Sequence, residues 1–341
     1  HLKIHSQYSI CEGAIKIDDL KEFSKTNKIQ SLGLSDTTNL CGALEFAEKI
    51  SKVGTQPIIG TQINFKFNDT VGLLPLFALD EEGYKRIIKL SSFSYLNNDE
   101  LSEPHLDFNE LLEDTYGVAV LSGTIFGLFG QLFDKGKFNE IKDLYNKLKE
   151  KFGDRFYLEI QRHNDQNELS FEKFNLKKSL ELSIPLIATN EVFYLNKDMH
   201  EAHDALICIG RKTYINDKTR KRYSDQHYLK SNLEMAELFS DLPEALENNY
   251  NFPLRCNFRP LFSNPILPNI SSEKGGNADD ILRKDSLHGL KDKFHKVFGI
   301  KNNEIENNNI FLKYKDRLDH ELSIIIEMKY ASYFLIVSDY I

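Results

Sequence analysis

Short apolar runs alternate with amphipathic stretches along the first part of the chain. Seven runs have the length and apolar content of strands buried on both faces, and they span residues 2–4, 31–35, 57–65, 73–79, 118–121, 156–161 and 185–189. Helical spacing of apolar residues separates most of them, at 18–26, 43–52, 81–92 and 139–152. Only the third and fourth runs leave no room for a helix between them. Repeated strand–helix units predict an α/β fold with a parallel sheet. We expect a closed or nearly closed βα barrel, with a flat doubly wound sheet as the alternative.

The strand pattern fades after about residue 195. Residues 199–209 and 232–249 have helical spacing, whereas 253–268 contain four prolines and should be extended. A polar linker at 271–277 is followed by helical patterns at 278–298 and 311–328. We therefore predict two domains, residues 1–270 and a mostly helical segment 271–341.

Composition narrows the classes of function. The 341 residues carry a net charge of −8, which argues against a free-standing nucleic-acid binder. No apolar run reaches membrane-spanning length and no signal-peptide pattern opens the chain, so we expect a cytoplasmic protein without membrane contact. Its four cysteines are scattered, which excludes a disulfide framework and a cysteine zinc site. The chain starts at His1 and stops at Ile341 beside an apolar run, so we expect a fragment.

In a barrel of parallel strands, functional residues gather at the carboxyl ends of the strands. Several polar residues follow the predicted strands at those ends. The histidines and carboxylates among them should converge on one face: His5, Glu12, Asp36, His163 and Glu191. Such a cluster could bind several divalent metals and hydrolyse a phosphate ester. The alternative is that each of these residues caps a helix or satisfies a loop.

The densest basic stretch comprises Arg211, Lys212, Lys218, Arg220, Lys221 and Arg222. It could contact DNA phosphates in a larger protein, or it could be a solvated loop. His200 and His203 share one helical face just before it, with His227 after it. Since no matching carboxylate set accompanies these histidines, we favour structural roles for them.

Several motifs, in order along the whole chain, resemble the α subunits of bacterial DNA polymerase III. The opening His1-Leu-Lys-Ile-His-Ser-Gln-Tyr-Ser9 is similar to the start of that family, and Leu34-Ser-Asp-Thr-Thr-Asn-Leu-Cys-Gly42 is similar to its second motif. Further matches are 57–60, 157–161, 188–192, 202–204, 238–246 and 317–322 leading to 333–337.

The resemblance implies a fold and an activity. It implies an N-terminal polymerase-and-histidinol-phosphatase (PHP) domain, a distorted seven-unit βα barrel of TIM-barrel type, followed by the start of the polymerase palm. The full-length protein would be a DNA-directed DNA polymerase, a nucleotidyltransferase that uses Mg²⁺ held by palm carboxylates in an Asp-x-Asp motif. This chain contains no Asp-x-Asp. We therefore expect no catalytic residue, no cofactor and no polymerisation in this fragment.

The sequence departs from the metal-binding pattern of active PHP domains. These carry His-x-His at the first strand, Asp-His at the second, a Glu, then a Cys or His, and a final Asp-x-His. The corresponding residues here are Lys3 with His5, Asp36 with Thr37, Gln62, Thr124, and Glu191 with Phe193. We expect this vestigial pocket, with Glu12 and His163 beside it, to hold no metal. Retained phosphoesterase or 3′→5′ exonuclease activity is the alternative, and a single weakly held ion or a phosphate near Lys3 stays open.

The resemblance also implies partners. A PHP domain without hydrolytic activity would support the polymerase and provide a docking platform for the separate proofreading exonuclease subunit. Other holoenzyme subunits and DNA would be partners of the full-length protein.

Overall fold

The computed structural model describes residues 1–98, 102–220, 222–263, 276–300 and 302–341. The chain divides into two compact units, His1–Phe262 and Ser263–Ile341. The boundary expected near residue 270 and most of the linker expected at 271–277 lie outside the described residues.

The first unit is built on one curled sheet. Its strands are β1 (Ser31–Thr37), β2 (Gln56–Phe67), β3 (Thr70–Ala78), β4 (Leu106–Asp107), β5 (Val118–Leu121), β6 (Phe156–Ile160) and β7 (Leu186–Ala188). The spatial order is β1-β2-β3-β5-β6-β7, with the short β4 beside β2. Six of the seven predicted strands are confirmed, and the α/β class with them.

The first predicted strand, residues 2–4, is not a regular strand but joins the two ends of the sheet. On one side, the Gly33 and Ser35 amides of β1 donate to the carbonyls of His1 and Ile4, at 2.7 and 2.9 Å. On the other side, the chain beyond β7 pairs with it, since Val192 N donates to Lys3 O and His5 N donates to Val192 O, both at 2.9 Å. The opening residues therefore curl the sheet into a barrel.

The prediction of an all-parallel sheet is wrong at β3, which is antiparallel to both β2 and β5. Only Asn68 and Asp69 separate β2 from β3, and a parallel crossover needs a dozen or more residues. The hairpin turns at Asn68, whose φ of 53° is a left-handed conformation that asparagine tolerates. The other described neighbours, β1–β2, β2–β4, β5–β6 and β6–β7, are parallel.

Ten helices in the described part of this unit surround the sheet. They are α1 (Ile17–Asn27), α2 (Ala43–Ser51), α3 (Glu81–Leu96), α4 (Phe108–Glu113), α5 (Leu128–Asp134), α6 (Phe138–Phe152), α7 (Glu168–Leu182), α8 (His200–Arg211), α9 (Asn232–Leu238) and α10 (Pro243–Asn251). The helical stretch predicted at 232–249 is present as two helices, α9 and α10, because the chain turns between them and Pro243 begins α10. The predicted extended segment 253–268 begins instead as a 3₁₀ turn, Phe252–Arg255, and part of it lies outside the described residues.

The interior of the barrel changes character along its axis. Because side chains alternate along a strand, Ile58, Gly60 and Gln62 of β2 share one face. At the amino end of the parallel strands, Ile58, Phe77, Tyr157 and Ile187 pack with Phe252. Gly60 leaves room for Phe77, since a Cβ there would lie 2.5 Å from the ring. Polar side chains then follow toward the carboxyl end, which positions the site described below.

The second unit is helical in its described part. It contains α11 (Ala278–Phe298), α12 (Asn302–Ile305), α13 (Asn309–Glu327) and α14 (Ala331–Tyr340). The helices predicted at 278–298 and 311–328 are confirmed. Leu282, Leu322 and Ala331 form one small core, and Phe294, Ile305 and Phe311 form another. No helix among the described residues of the chain is both long and apolar enough to cross a bilayer.

Candidate functional site

A polar cleft of about 220 Å³ lies at the carboxyl end of the barrel. Seven of the ten residues expected in the vestigial pocket line it: His5, Glu12, Thr37, Gln62, Thr124, Glu191 and Phe193. The structure therefore brings these residues together. The other three, Lys3, Asp36 and His163, are buried around the cleft rather than lining it.

Lys3 is the cation of a buried ion network at the base of the cleft. Its Nζ lies 3.3 Å from Glu159 Oε1 and 3.3 Å from Glu191 Oε1. The Lys3 and Glu159 side chains are wholly buried and that of Glu191 is 9% exposed. Charges removed from water so completely persist only when they are paired.

The two carboxylates differ in how readily they ionise. Burial alone would raise the pKa of Glu191, but the Lys3 ammonium, His5 and Gln62 outweigh it and hold that pKa well below the ordinary value. Burial raises the pKa of Glu159, and Lys3 and Thr189 offset this only in part. Glu191 is therefore the principal counter-ion of Lys3, and Glu159 is the carboxyl that takes a proton first.

Glu159 was missed at the sequence level. Its Oε1 accepts hydrogen bonds from Thr189 Oγ1 and, at 2.7 Å, from Gln161 Nε2. The available signal was a single charge inside the otherwise apolar β6, two residues before Gln161. Period-2 alternation puts 157, 159 and 161 on one face, so the charge had to face the barrel interior.

His5 and Gln62 complete the network around Glu191. Gln62 Nε2 donates to Glu191 Oε1 at 2.6 Å and lies 2.8 Å from His5 Nε2. That ring nitrogen is 3.0 Å from the same carboxylate oxygen, and His5 Nδ1 is 3.1 Å from Ser9 Oγ. Both nitrogens of His5 are thus engaged by protein groups.

Asp36 and Thr37, at the end of β1, hydrogen-bond to the loop that contains Ser6, Ser9 and Glu12. Asp36 accepts from Ser6 N at 2.7 Å, Ser6 Oγ at 2.8 Å and Ser9 Oγ at 2.7 Å. Thr37 Oγ1 donates to Glu12 Oε2 at 2.7 Å. Three donors thus bind the Asp36 carboxylate. This agrees with the alternative interpretation, in which polar residues at strand ends hydrogen-bond to loops.

His163 belongs to a second group beside the cleft. Its ring stacks on His227 with centroids 4.0 Å apart and planes within 1°. Glu191 N donates to His163 Nε2 at 3.2 Å, and His163 Nδ1 faces Glu168 Oε1 at 3.1 Å. Burial, followed by the charges of His227 and Lys230, holds the pKa of His163 well below its ordinary value, so its ring is neutral.

One group of metal-ligand side chains lies beside the cleft. Among the described residues, His163, Asp165 and His227 form the one group of three or more His, Cys, Asp or Glu ligand atoms close enough to share a metal, all within 4.8 Å. Their parallel rings direct lone pairs into parallel planes, which cannot meet at one ion. His227 is also engaged on both nitrogens, by Asp165 Oδ2 at 3.1 Å and Glu191 O at 3.0 Å.

The remaining departures from the metal pattern also have structural partners. Phe193 is buried and stacks on His5 and His203, with centroids 4.5 and 5.4 Å apart. Thr124 Oγ1 accepts from the Phe126 amide at 3.0 Å. A phenyl ring has no lone pair to offer a cation, so the position where the resemblance implies a histidine ligand is filled by packing.

The basic stretch divides between structural and exposed side chains. Arg220 donates to both oxygens of Asp204, at 2.5 and 2.6 Å, and this pair is buried. Arg222 Nε lies 3.5 Å from the same carboxylate. Arg211 lines the cleft, Lys212 and Lys218 are exposed, and Lys221 lies outside the described residues. Contact of this stretch with DNA stays a prediction.

The two histidines of α8 bond to backbone carbonyls. His200 Nε2 donates to Tyr223 O at 3.0 Å, and His203 Nε2 donates to Glu12 O at 2.8 Å. They serve the structural roles favoured from the sequence, since they attach α8 to the loops that border the cleft.

Comparisons with known proteins match both parts of the chain. Residues 1–163 match the PHP domain family, and residues 280–341 match the family described as bacterial DNA polymerase III alpha NTPase domain. Over its whole length the chain is 39% identical to the DNA polymerase III subunit alpha of Rickettsia conorii, 36% to that of Caulobacter vibrioides and 32% to that of Pseudomonas aeruginosa. It spans 29%, 30% and 29% of those proteins, under a third of their length.

Removing the buried cation tests the ion network. Lys3→Met leaves Glu159 and Glu191 buried without their counter-ion, and we expect the free energy of unfolding to fall by about 3–5 kcal/mol in urea denaturation followed by circular dichroism. Lys85→Met is the matched control, because Lys85 also lies between two carboxylates, at 3.1 and 2.9 Å, but is half exposed; we expect a far smaller loss there, because exposed ion pairs contribute little to stability. Adding Glu159→Gln to Lys3→Met should restore part of the loss. Equal losses at Lys3 and Lys85 would contradict the network.

Stability should also depend on pH through His203. Burial lowers the pKa of His203 to about 4, although the Glu12 carbonyl opposes this. Between the unfolded value of about 6.5 and that folded value, the unfolded chain binds a proton that the folded chain refuses, so stability falls as the pH falls. The contribution is on the order of 2–3 kcal/mol. Urea denaturation between pH 7.5 and 4.5 should show a shallower fall for His203→Gln, and parallel curves for the two proteins would refute this assignment.

Proposed function

Because the chain joins a PHP domain to a segment of the bacterial DNA polymerase III alpha family, we propose that it is the N-terminal part of the catalytic alpha subunit of a replicative DNA polymerase. The full-length protein would catalyse template-directed DNA synthesis in the cytoplasm, with Mg²⁺ held by palm carboxylates. Those carboxylates belong to an Asp-x-Asp motif that this chain lacks. The part described above would support the polymerase rather than carry out its chemistry.

The PHP domain, in this proposal, is a structural domain without hydrolytic activity. The observation that carries it is the Lys3 ammonium, fully buried and 3.3 Å from each of two carboxylates. A divalent ion about 4 Å from that ammonium would be repelled by about 8 kcal/mol at an effective dielectric constant of 20. The lysine thus supplies the positive charge that metal ions would otherwise bring to this site.

Loss of hydrolysis fits a division of labour. A chain that does not remove misincorporated nucleotides needs proofreading from another subunit. The PHP domain then serves as the docking platform for the proofreading exonuclease subunit, alongside the other holoenzyme subunits. The barrel suits such a role because its core is closed by many buried side chains and its helices form the outer surface.

Metal content tests the inactive pocket. After dialysis against Mn²⁺ or Zn²⁺ and then metal-free buffer, we expect less than one equivalent of metal per chain and no cleavage of a single-stranded oligonucleotide. The variant Lys3→His/Thr37→His/Gln62→Glu/Phe193→His, which restores the ligand types of active PHP domains, should retain more metal. Two or more equivalents in the unaltered chain, or cleavage abolished by Glu191→Gln, would instead establish a phosphoesterase or 3′→5′ exonuclease.

Docking is tested by co-purification. We expect the chain to bind the exonuclease subunit of its own replication system at micromolar concentrations, in gel filtration and in calorimetry. Binding should persist in the presence of EDTA, since no metal ion participates. Absence of a complex at these concentrations would refute the docking role while leaving the assignment to the alpha subunit untouched.

A further inference from the structure

An apolar groove lies on the surface at the end of α8, outside the cleft. It is bordered by Cys208 and Ile209 of the helix and by Tyr214 and Ile215 of the following loop, and encloses about 690 Å³. The side chains of Ile209, Tyr214 and Ile215 are 72%, 83% and 59% exposed. Large apolar side chains grouped in this way on a surface are typical of interaction sites. We call this surface the α8 groove.

The walls of the α8 groove are held in place by the chain itself. Lys212 ends the helix in the left-handed conformation, and Thr213 N donates to Cys208 O at 3.0 Å, which is a Schellman-type termination. Arg220 fixes the far side of the loop, because it donates to Ile215 O at 3.1 Å and to the Asp204 carboxylate on α8. A groove formed in advance costs a partner less ordering entropy on binding.

A cation lies at the rim of the α8 groove although the chain as a whole carries a net charge of −8. Lys212 lines the groove, whereas Arg211 lines the polar cleft described above. Within the part of the chain that the structure describes, no ion pair engages the Lys212 side chain. The nearest acid in sequence, Asp217, accepts from the amide and hydroxyl of Thr219 instead. A carboxylate of a partner would complete the charge of Lys212.

The chemistry of the lining decides between two kinds of partner. Single-stranded nucleic acid is bound by a succession of aromatic side chains along a basic track, whereas among the described residues Tyr214 is the one aromatic residue that lines this groove. Ala205, Cys208, Ile209 and Ile215 are of the size and polarity that receive aliphatic side chains. The lining therefore favours a polypeptide.

We infer that the α8 groove is a docking site for a peptide segment of a partner protein, with aliphatic anchor residues flanked by Asp or Glu. The aliphatic side chains lie against Ile209 and Ile215, and a flanking carboxylate pairs with Lys212. This inference deepens the docking role proposed above and rests on it.

Peptide binding to the 341-residue chain tests the inference. Fluorescence anisotropy compares four labelled probes: pooled peptides with leucine or isoleucine anchors between glutamates, the same pool with lysines for glutamates, an acidic pool without aliphatic residues, and a mixed-sequence single-stranded DNA. We expect the acidic aliphatic pool to bind at least tenfold more tightly than the other three. Ile209→Ser or Lys212→Ser should each weaken that binding about tenfold.

Leu180→Ser is the matched control. Leu180 lies on α7 and is 85% exposed, beside Lys177 and Lys178, which already pair with Glu181. This variant should bind like the unaltered chain. Equal affinity for all probes, preference for DNA, self-association through the groove, or an equal loss in Leu180→Ser would overturn the inference. If the exonuclease complex forms normally with Ile209→Ser, the groove is refuted as its docking site and the docking role is retained. If the peptides bind but no exonuclease complex forms, the docking role is refuted and the groove is retained as a peptide site.

Discussion

The ion network of Lys3 with Glu159 and Glu191 is the interaction on which the interior of the barrel depends. The three charges come from the opening residues, from β6 and from the chain beyond β7, and these segments are distant in sequence. None of the charges could be buried alone, because desolvating a single ion costs several kcal/mol. The sheet can therefore close at residues 1–5 only if these charges pair at the same time. The network forms a layer across the barrel. The apolar cluster around Phe252 lies on one side of this layer, and the polar cleft lies on the other.

The same layer lies where the resemblance implies a metal site. A metal cluster holds several strand ends together by attracting their carboxylates and imidazoles. Here the lysine ammonium attracts the carboxylates, Gln62 joins the acid to His5, and Phe193 stacks between His5 and His203. Each replacement keeps a contact between strands and removes a lone pair or a negative charge. The result is a closely packed interior in which the buried charges are paired.

Helix α8 connects this interior to the surface. Its inner face bonds the cleft loops through His200 and His203, while its end, together with the loop that Arg220 secures, forms an apolar groove with a basic rim. Part of the basic stretch that attracts attention in the sequence is therefore scaffolding, because Arg220 and Arg222 both face Asp204. Of the side chains left exposed, Arg211 lines the cleft, and Lys212 lies beside the apolar residues of the groove.

The sequence by itself determined the alternation of strands and helices, the carboxyl-end location of the polar residues, and the family resemblance, because each of these is written in local spacing and residue order. It also indicated that Lys3 stands where a metal ligand is expected. The short connection between the second and third strands already excluded a parallel crossover there. The tertiary structure alone decided that Glu159 is the second partner of Lys3 and that two serines occupy the Asp36 carboxylate. Hydrogen bonds and buried ion pairs join residues far apart in the chain, as Gln62 with Glu191 and Lys3 with Glu191 illustrate. Local patterns specify which side chains face inward, but which of them meet depends on how the sheet closes.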